Sequence, residues 1–271
     1  MSAVANLKFE LADRARKYAS ARSFPFCLGY GDSPVVCFQA CGEALHGNFH
    51  PASYKALQAN PEWRRRLKKV HTTAKTILPR AENGNWRELD SCMSSDALLM
   101  NVFCHPEVLR SARVASMLGL ETKLNPRFGV PARVPLVNGR LDRTEVDLKI
   151  GELLVEAKLT ESDFQRVKKM SVLRYRDFRR VFDEDLLPQV GDYYNCYQLI
   201  RNVLAAYASQ CSLCVLLDAR RPDLVDAWYT VMRSIQPVAL RTACKVLTWQ
   251  ELSRVLPASM KAFLAVKYGI Q

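Results

Sequence analysis

Apolar and polar positions alternate strictly in two neighbouring stretches near the middle of the chain. Val146, Leu148 and Ile150 interleave with Glu145, Asp147 and Lys149, and Leu153, Val155, Ala157 and Leu159 interleave with Leu154, Glu156 and Lys158. A period of two is the pattern of a strand with one buried face. Gly151-Glu152 between the stretches suits a two-residue type II′ turn, so the pattern predicts a hairpin in which Ile150 faces Leu153. That register sets Asp147 opposite Glu156 and Glu145 opposite Lys158. The second strand, "LLVEAKL", is apolar enough to be central in a sheet, so its charges would not simply meet water.

Other patterns fill in the order around the hairpin. Residues 1 to 22 read as a helix. Residues 23 to 50 are rich in Gly, Pro and Cys and predict irregular structure with a short strand at "PVVCFQA". Residues 51 to 78 predict two helical pieces broken at Asn60-Pro61. The stretch "SSDALLMNVFCHPEVLRSARVASMLGL" predicts two helices, capped by Ser94 or Ser95, restarted at Pro106 and ended by Gly119. Asn138-Gly139 marks a turn, with a short strand before Asp142. Residues 161 to 183 predict a charged helix, and Asp192 is the expected cap of the helix "YYNCYQLIRNVLAAYASQ". The continuous apolar run "CSLCVLLDA" predicts a strand buried on both faces. A helix from Pro222, a strand near "RTACKVLT" and a capping box at Thr248 and Glu251 complete the chain. Helix, antiparallel strands, helix, buried strand, helix, strand is the order of an α/β protein with a mixed sheet flanked by helices. The expected division is a mainly helical N-terminal elaboration over residues 1 to 85 and a core over 86 to 271.

Charge changes the picture of this scaffold. The 271 residues carry a formal net charge of +12, which points to a polyanionic partner. Arg64, Arg65, Arg66, Lys68 and Lys69 form one basic cluster beside Trp63. Arg166, Lys168, Lys169, Arg174, Arg176, Arg179 and Arg180 form another, shortly after the hairpin. Such side chains give salt-sensitive phosphate contacts without sequence readout; the alternative is a solvated surface. Like charges directly opposite destabilise a hairpin, so Asp147 and Glu156 invite a cation between them, most simply a divalent metal. The alternative here is a polar face on which Lys158 neutralises Glu145.

The beginning of the chain is charged and has no continuous apolar run, so neither a secretion signal nor a membrane span is expected. With nine cysteines, reduced thiols and a cytoplasmic location are the expectation. Cys27, Cys37, Cys41, His46 and His50 crowd one region and could supply a structural Zn²⁺ site, but they lack the paired spacing of common zinc modules. Scattered thiols are the preferred reading. Cys211 and Cys214 have that spacing on an apolar strand and read as core residues.

With Asp147 on one strand and Glu156-Ala157-Lys158 on the next, the chain resembles the PD-(D/E)XK nuclease superfamily over roughly residues 85 to 255. That superfamily includes restriction endonucleases, repair nucleases and recombination exonucleases. The stretches "HGNFHPASY" and "SSDALLMNVF" also resemble an uncharacterised restriction-endonuclease-like group within it. The resemblance implies a restriction-endonuclease-like core and a metal-dependent nuclease acting on DNA, with an endonuclease as the first reading and exonuclease action left open. It implies Mg²⁺, replaceable by Mn²⁺, held by Asp147, Glu156 and the Ala157 carbonyl. Lys158 would orient the attacking water and offset phosphate charge. The superfamily's Pro is replaced by Val146. An acid on the preceding helix often assists, and Glu88 and Asp96 are both candidates. Some recombination-type members carry a Gln on the following helix, here Gln198, with Tyr194 and Arg201 on the same face by spacing. An ordinary amphipathic helix explains those three residues equally well. A homodimer would let two sites cut both strands. Alternatives are a non-catalytic nucleic-acid-binding protein that keeps the fold, a nuclease acting on RNA, and an interaction scaffold with a basic surface.

Overall fold

The alternation of residues 145 to 159 builds two neighbouring strands of a five-stranded sheet, one of them its central strand. The structure, a computed structural model, describes residues 2–29, 35–42, 44–69, 87–121 and 124–271. It divides into two compact units, Met1–Asn125 with Trp249–Gln271, and Pro126–Thr248. The expected boundary near residue 85 does not coincide with this division, because the helices after residue 94 and the C-terminal segment group with the N-terminal helices.

In the first unit, α1 (Ala3–Ala21) buries Leu7, Leu11, Ala15 and Tyr18, a stripe spaced by three and four residues. Asn60 ends α2 (Pro51–Ala59) and caps α3 (Pro61–Arg66), as the break at Asn60-Pro61 predicts. Ser94 caps α4 (Ser95–Phe103) through the Ala97 N–H. The helix expected from Pro106 to Gly119 is two, α5 (Pro106–Arg110) and α6 (Ala112–Leu118), because the Ser111 hydroxyl accepts the Val114 N–H and starts a new helix. Gly119 ends it with φ +69°, the left-handed conformation that favours glycine.

The stretches around His50 and Asn101 dock through the interior. Asn101 accepts the His50 N–H at 2.6 Å and donates to the Asn48 carbonyl at 3.0 Å. Lys267, on the C-terminal helix Ala258–Tyr268, is buried among Tyr18, Phe38, Phe263 and Tyr268. It donates to Asn48 Oδ1 at 2.5 Å, and burial pushes its pKa well below that of an ordinary lysine.

The second unit holds a five-stranded mixed sheet. Its strands are β1 (Pro126–Pro131), β2 (Glu145–Ile150), β3 (Leu153–Ala157), β4 (Ser212–Leu217) and β5 (Cys244–Thr248), and they lie side by side in that order. β1, β2 and β3 form an antiparallel meander, and β4 runs parallel to both β3 and β5. α7 (Tyr197–Ser209) and α8 (Pro222–Arg233) cover one face. There Leu199, Val203, Leu224 and Trp228 pack with Leu154, Leu213 and Val215.

The segment between β3 and α7 departs from expectation. Only Lys169–Val172 and Phe178–Val181 are α-helical, one turn each, followed by a 3₁₀ turn at Glu184–Leu186. The backbone N–H groups of Lys169 and Arg176 go to the carbonyls of Asp192 and Pro135, so they cannot extend a helix. Phe164, Val172, Tyr175, Phe178 and Phe182 anchor the segment in the core. Asp192 does not cap α7 but sits in the turn of the hairpin Gln189–Val190 and Tyr193–Tyr194. α7 starts after Cys196, and its first N–H groups, from Tyr197 and Gln198, donate to Gln165 and Phe164 carbonyls. A side-chain cap is therefore not required.

Candidate active site

The hairpin register is the one the alternation predicts. Ile150 faces Leu153, Lys149 faces Leu154 and Leu148 faces Val155. Gly151 has φ +55° and Glu152 does not have positive φ, as a type II′ turn requires. The ladder ends with Leu148 and Val155, one step before Asp147 and Glu156. Beyond that point the Ala157 N–H donates to Asp147 Oδ2 at 2.8 Å, and the Lys158 N–H donates to the Leu216 carbonyl at 2.9 Å. Here a side chain of β2 takes the place of a backbone acceptor, and the strands part at the two acids.

β3 is central, with β2 and β4 on either side. Glu156 is only 2% exposed and Lys158 5%. Lys158 Nζ donates to Glu156 Oε1 at 2.7 Å. The alternative of a solvated face neutralised by Lys158 and Glu145 is therefore not the arrangement present. Burial alone would lower the Lys158 pKa, but Glu156, then Glu161 and Asp147, outweigh it and hold the ammonium above the ordinary lysine value.

Three residues that sequence reasoning passed over complete the surroundings. Asn202 Nδ2 donates to Glu156 Oε2 at 2.7 Å. Its spacing of four from Gln198 on one helix was the available signal. Glu161 Oε2 accepts the Leu159 N–H at 2.7 Å, folding the turn after β3 back toward Lys158. Arg221, fully buried, donates to the Glu161 and Ser162 carbonyls at 2.7 and 3.0 Å and holds that turn.

Other expected site residues fall elsewhere. Gln198 lies in the first turn of α7, and its buried Oε1 has no hydrogen-bond partner among the described residues. Tyr194 does not share the α7 face; it lies in a strand and donates to Glu184 at 3.2 Å. Arg201, expected to contact phosphate, is 4% exposed and donates to Asn202 and the Glu145 carbonyl. Glu88 and Asp96 belong to the first unit. Lys69 donates to both, and Arg66 donates to Asp96 at 3.0 Å. Burial would raise the Asp96 pKa, but Lys69 and Arg66 hold it below the ordinary carboxylate range, whereas burial and Asp96 push Glu88 up. Arg66 and Lys69 thus serve internal ion pairs, while Arg64, Arg65 and Lys68 are exposed.

In the second basic cluster, Arg166, Lys168, Arg174, Arg176, Arg179 and Arg180 are exposed and Lys169 is half-buried. Arg176 pairs with Asp177 and Arg179 with Glu184, at 3.1 and 2.9 Å. Cys27 and Cys37 face each other across a hairpin, His46 pairs with Asp90, and His50 accepts the Ala52 N–H as the cap of α2. Cys211 accompanies Cys214 in the interior, as read from the apolar strand.

Residues 5–269 match the sequence model of a family described as Restriction Endonuclease associating with ARP. The chain belongs to this family. No curated protein and no solved structure matches it. Membership in a restriction-endonuclease family covers nearly the whole chain, so both units carry the family's sequence pattern. Among the described residues no helix is long and apolar enough to cross a membrane.

Among the described residues, no three His, Cys, Asp or Glu side chains are grouped to hold a metal ion. Mg²⁺ asks for less, since it keeps several waters and binds through one or two carboxylates. Asp147 and Glu156 are hard oxygen donors. The bonds from Lys158 and Asn202 use one lone pair on each Glu156 oxygen, and a carboxylate oxygen has two. The donor set fits a hard dication.

Proposed function

We propose that this restriction-endonuclease family member is a Mg²⁺-dependent endonuclease that hydrolyses DNA phosphodiester bonds, with a PD-(D/E)XK-type core formed by β1 to β5, α7 and α8. The observation that carries this reading is the parting of β2 and β3 at Asp147 and Glu156, with Lys158 bonded to Glu156 in the same buried place. Asp147 and Glu156, with the Ala157 carbonyl, would hold Mg²⁺ or Mn²⁺. The ion would supply a water of lowered pKa and offset charge on the phosphate. Lys158 places a fixed positive charge beside that water and phosphate, where it stabilises the charge that develops on attack. Burial keeps competing water away and strengthens that interaction. By the family's description, a partner called ARP is expected as well.

The test is cleavage of closed circular, linear and single-stranded DNA with Mg²⁺ or Mn²⁺, beside EDTA and Asp147→Ala controls. Cutting of closed circles that stops with EDTA and with Asp147→Ala is expected. A well-folded wild-type protein that cuts neither DNA nor RNA would overturn the reading.

Residues 166 to 180 carry seven cations and a single acid, Asp177. Their exposed arginines are the proposed phosphate contacts. Binding measured without divalent metal should weaken linearly in log–log plots against salt. Arg174→Ala and Arg180→Ala should each reduce that slope by about one, uniformly across sequences. Unchanged slopes would place the DNA elsewhere.

A further inference from the structure

α7 carries Arg201 and Asn202 side by side, and Asn202 is fully buried. Asn202 Oδ1 accepts from Arg201 Nε and Nη2 at 3.1 and 2.9 Å. The same Nη2 donates to the Glu145 carbonyl at 3.0 Å, at the start of β2. Asn202 Nδ2 reaches Glu156 Oε2 on β3. The bonds therefore run from one strand of the hairpin, through the helix, to the other. They cross where the ladder has already ended.

The chemistry of each group fixes its orientation. A guanidinium can only donate, so the Asn202 oxygen must face Arg201 and its NH₂ must face Glu156. A direct Arg–Glu pair would occupy both carboxylate oxygens with a fork. The amide between them lets the guanidinium act on Glu156 through a single neutral donor. Lys158 holds the other oxygen. Glu156 is thus fixed at both oxygens while each keeps a lone pair.

We infer that Arg201 and Asn202 form a bracket that sets the separation of β2 and β3 at the parted end of the hairpin, and that Asn202 is a positioning residue for Glu156 as a metal ligand. Only the metal part rests on the proposed nuclease reading; the bracket stands on the hydrogen bonds.

The test compares Asn202→Ala and the double variant Arg201→Met/Asn202→Leu, which leaves no buried charge unpaired. Three readings are taken: Mn²⁺ binding followed by the electron spin resonance of free Mn²⁺, hydrogen exchange of the Ala157 amide, and melting. Weaker Mn²⁺ binding by about 10- to 100-fold is expected, as for other residues that orient metal ligands. Exchange at Ala157 should rise in both variants, and the double variant should melt below wild type by no more than the lost donors to Glu156 Oε2 and the Glu145 carbonyl account for. A folded variant with wild-type Mn²⁺ binding and unchanged Ala157 exchange would overturn the inference. A wild-type protein that neither binds Mn²⁺ nor cuts nucleic acid would overturn the nuclease reading and the ligand-positioning role with it. The exchange measurement would still decide the bracket, and an unchanged Ala157 rate would remove it.

Discussion

Lys158→Met is expected to slow DNA cleavage by about 100- to 1000-fold, the scale of removing one fixed electrostatic stabiliser from a buried site. Methionine keeps the length of the side chain and its fit on β3 while deleting the charge. Asp147 and Glu156 remain, so Mn²⁺ binding should persist where Asp147→Ala abolishes it. Stability must be separated from catalysis, because Lys158 bonds Glu156 at 2.7 Å and both are buried. Breaking one side of a buried pair costs about 3–5 kcal/mol. The double variant Glu156→Gln/Lys158→Met removes both charges and should recover most of the melting temperature without recovering cleavage. Lys158→Arg should also be impaired, since a planar fork is not the compact point charge that fits there. Single-turnover cleavage at saturating Mn²⁺ reads these effects. A Lys158→Met protein that cuts at the wild-type rate would remove Lys158 from the mechanism.

The site was legible where its logic is local. Alternation over 145 to 159 and the Gly151 turn set the register as far as Leu148 and Val155. The expected pairs Asp147–Glu156 and Glu145–Lys158 do not join the ladder, because the Ala157 N–H goes to the Asp147 carboxylate and the Lys158 N–H to the Leu216 carbonyl. The apolar run of β4 was legible for the same reason, since a strand buried on both faces needs no polar residue. Charge was the poorest guide. Arg201 read as a phosphate contact, yet it is interior, held by Asn202 and by the distant Glu145 carbonyl. Arg221, which no sequence pattern singled out, is interior too, held by the distant Glu161 and Ser162 carbonyls. The charges of residues 161 to 183 read as a helix face, but core anchoring by Phe164, Tyr175 and Phe178 decided its path. The division into units was hidden because it depends on the last helix returning to the first. Arg14 on α1 donates to the Ala265 carbonyl, a contact between opposite ends of the chain.

Arg221→Met should lower stability by about 3 kcal/mol, with no change at a residue that touches substrate. The arginine is fully buried after β4, where its guanidinium holds the Glu161 and Ser162 carbonyls and pairs with Asp223 at 2.7 Å. Methionine fills much of the space but donates nothing. Two carbonyls then lose their donors, at about 1–3 kcal/mol for each group left unsatisfied. Asp223 is half exposed and can turn to water, so its own loss adds little. Asp223→Asn keeps an acceptor for the guanidinium and leaves both carbonyl bonds in place, so it should cost less than Arg221→Met. The comparison isolates the carbonyl clamp from the ion pair. With a urea m-value of about 1–3 kcal/mol/M, the unfolding midpoint should fall by about 1 M or more, at unchanged m. The clamp also places Glu161, whose carboxylate caps the Leu159 N–H and acts on Lys158. Cleavage by Arg221→Met should therefore fall further than the folded fraction accounts for, even at a temperature where the variant is fully folded. A variant that unfolds at the wild-type urea concentration would show that the turn after β3 holds itself, and the link from β4 to Lys158 would have to be abandoned.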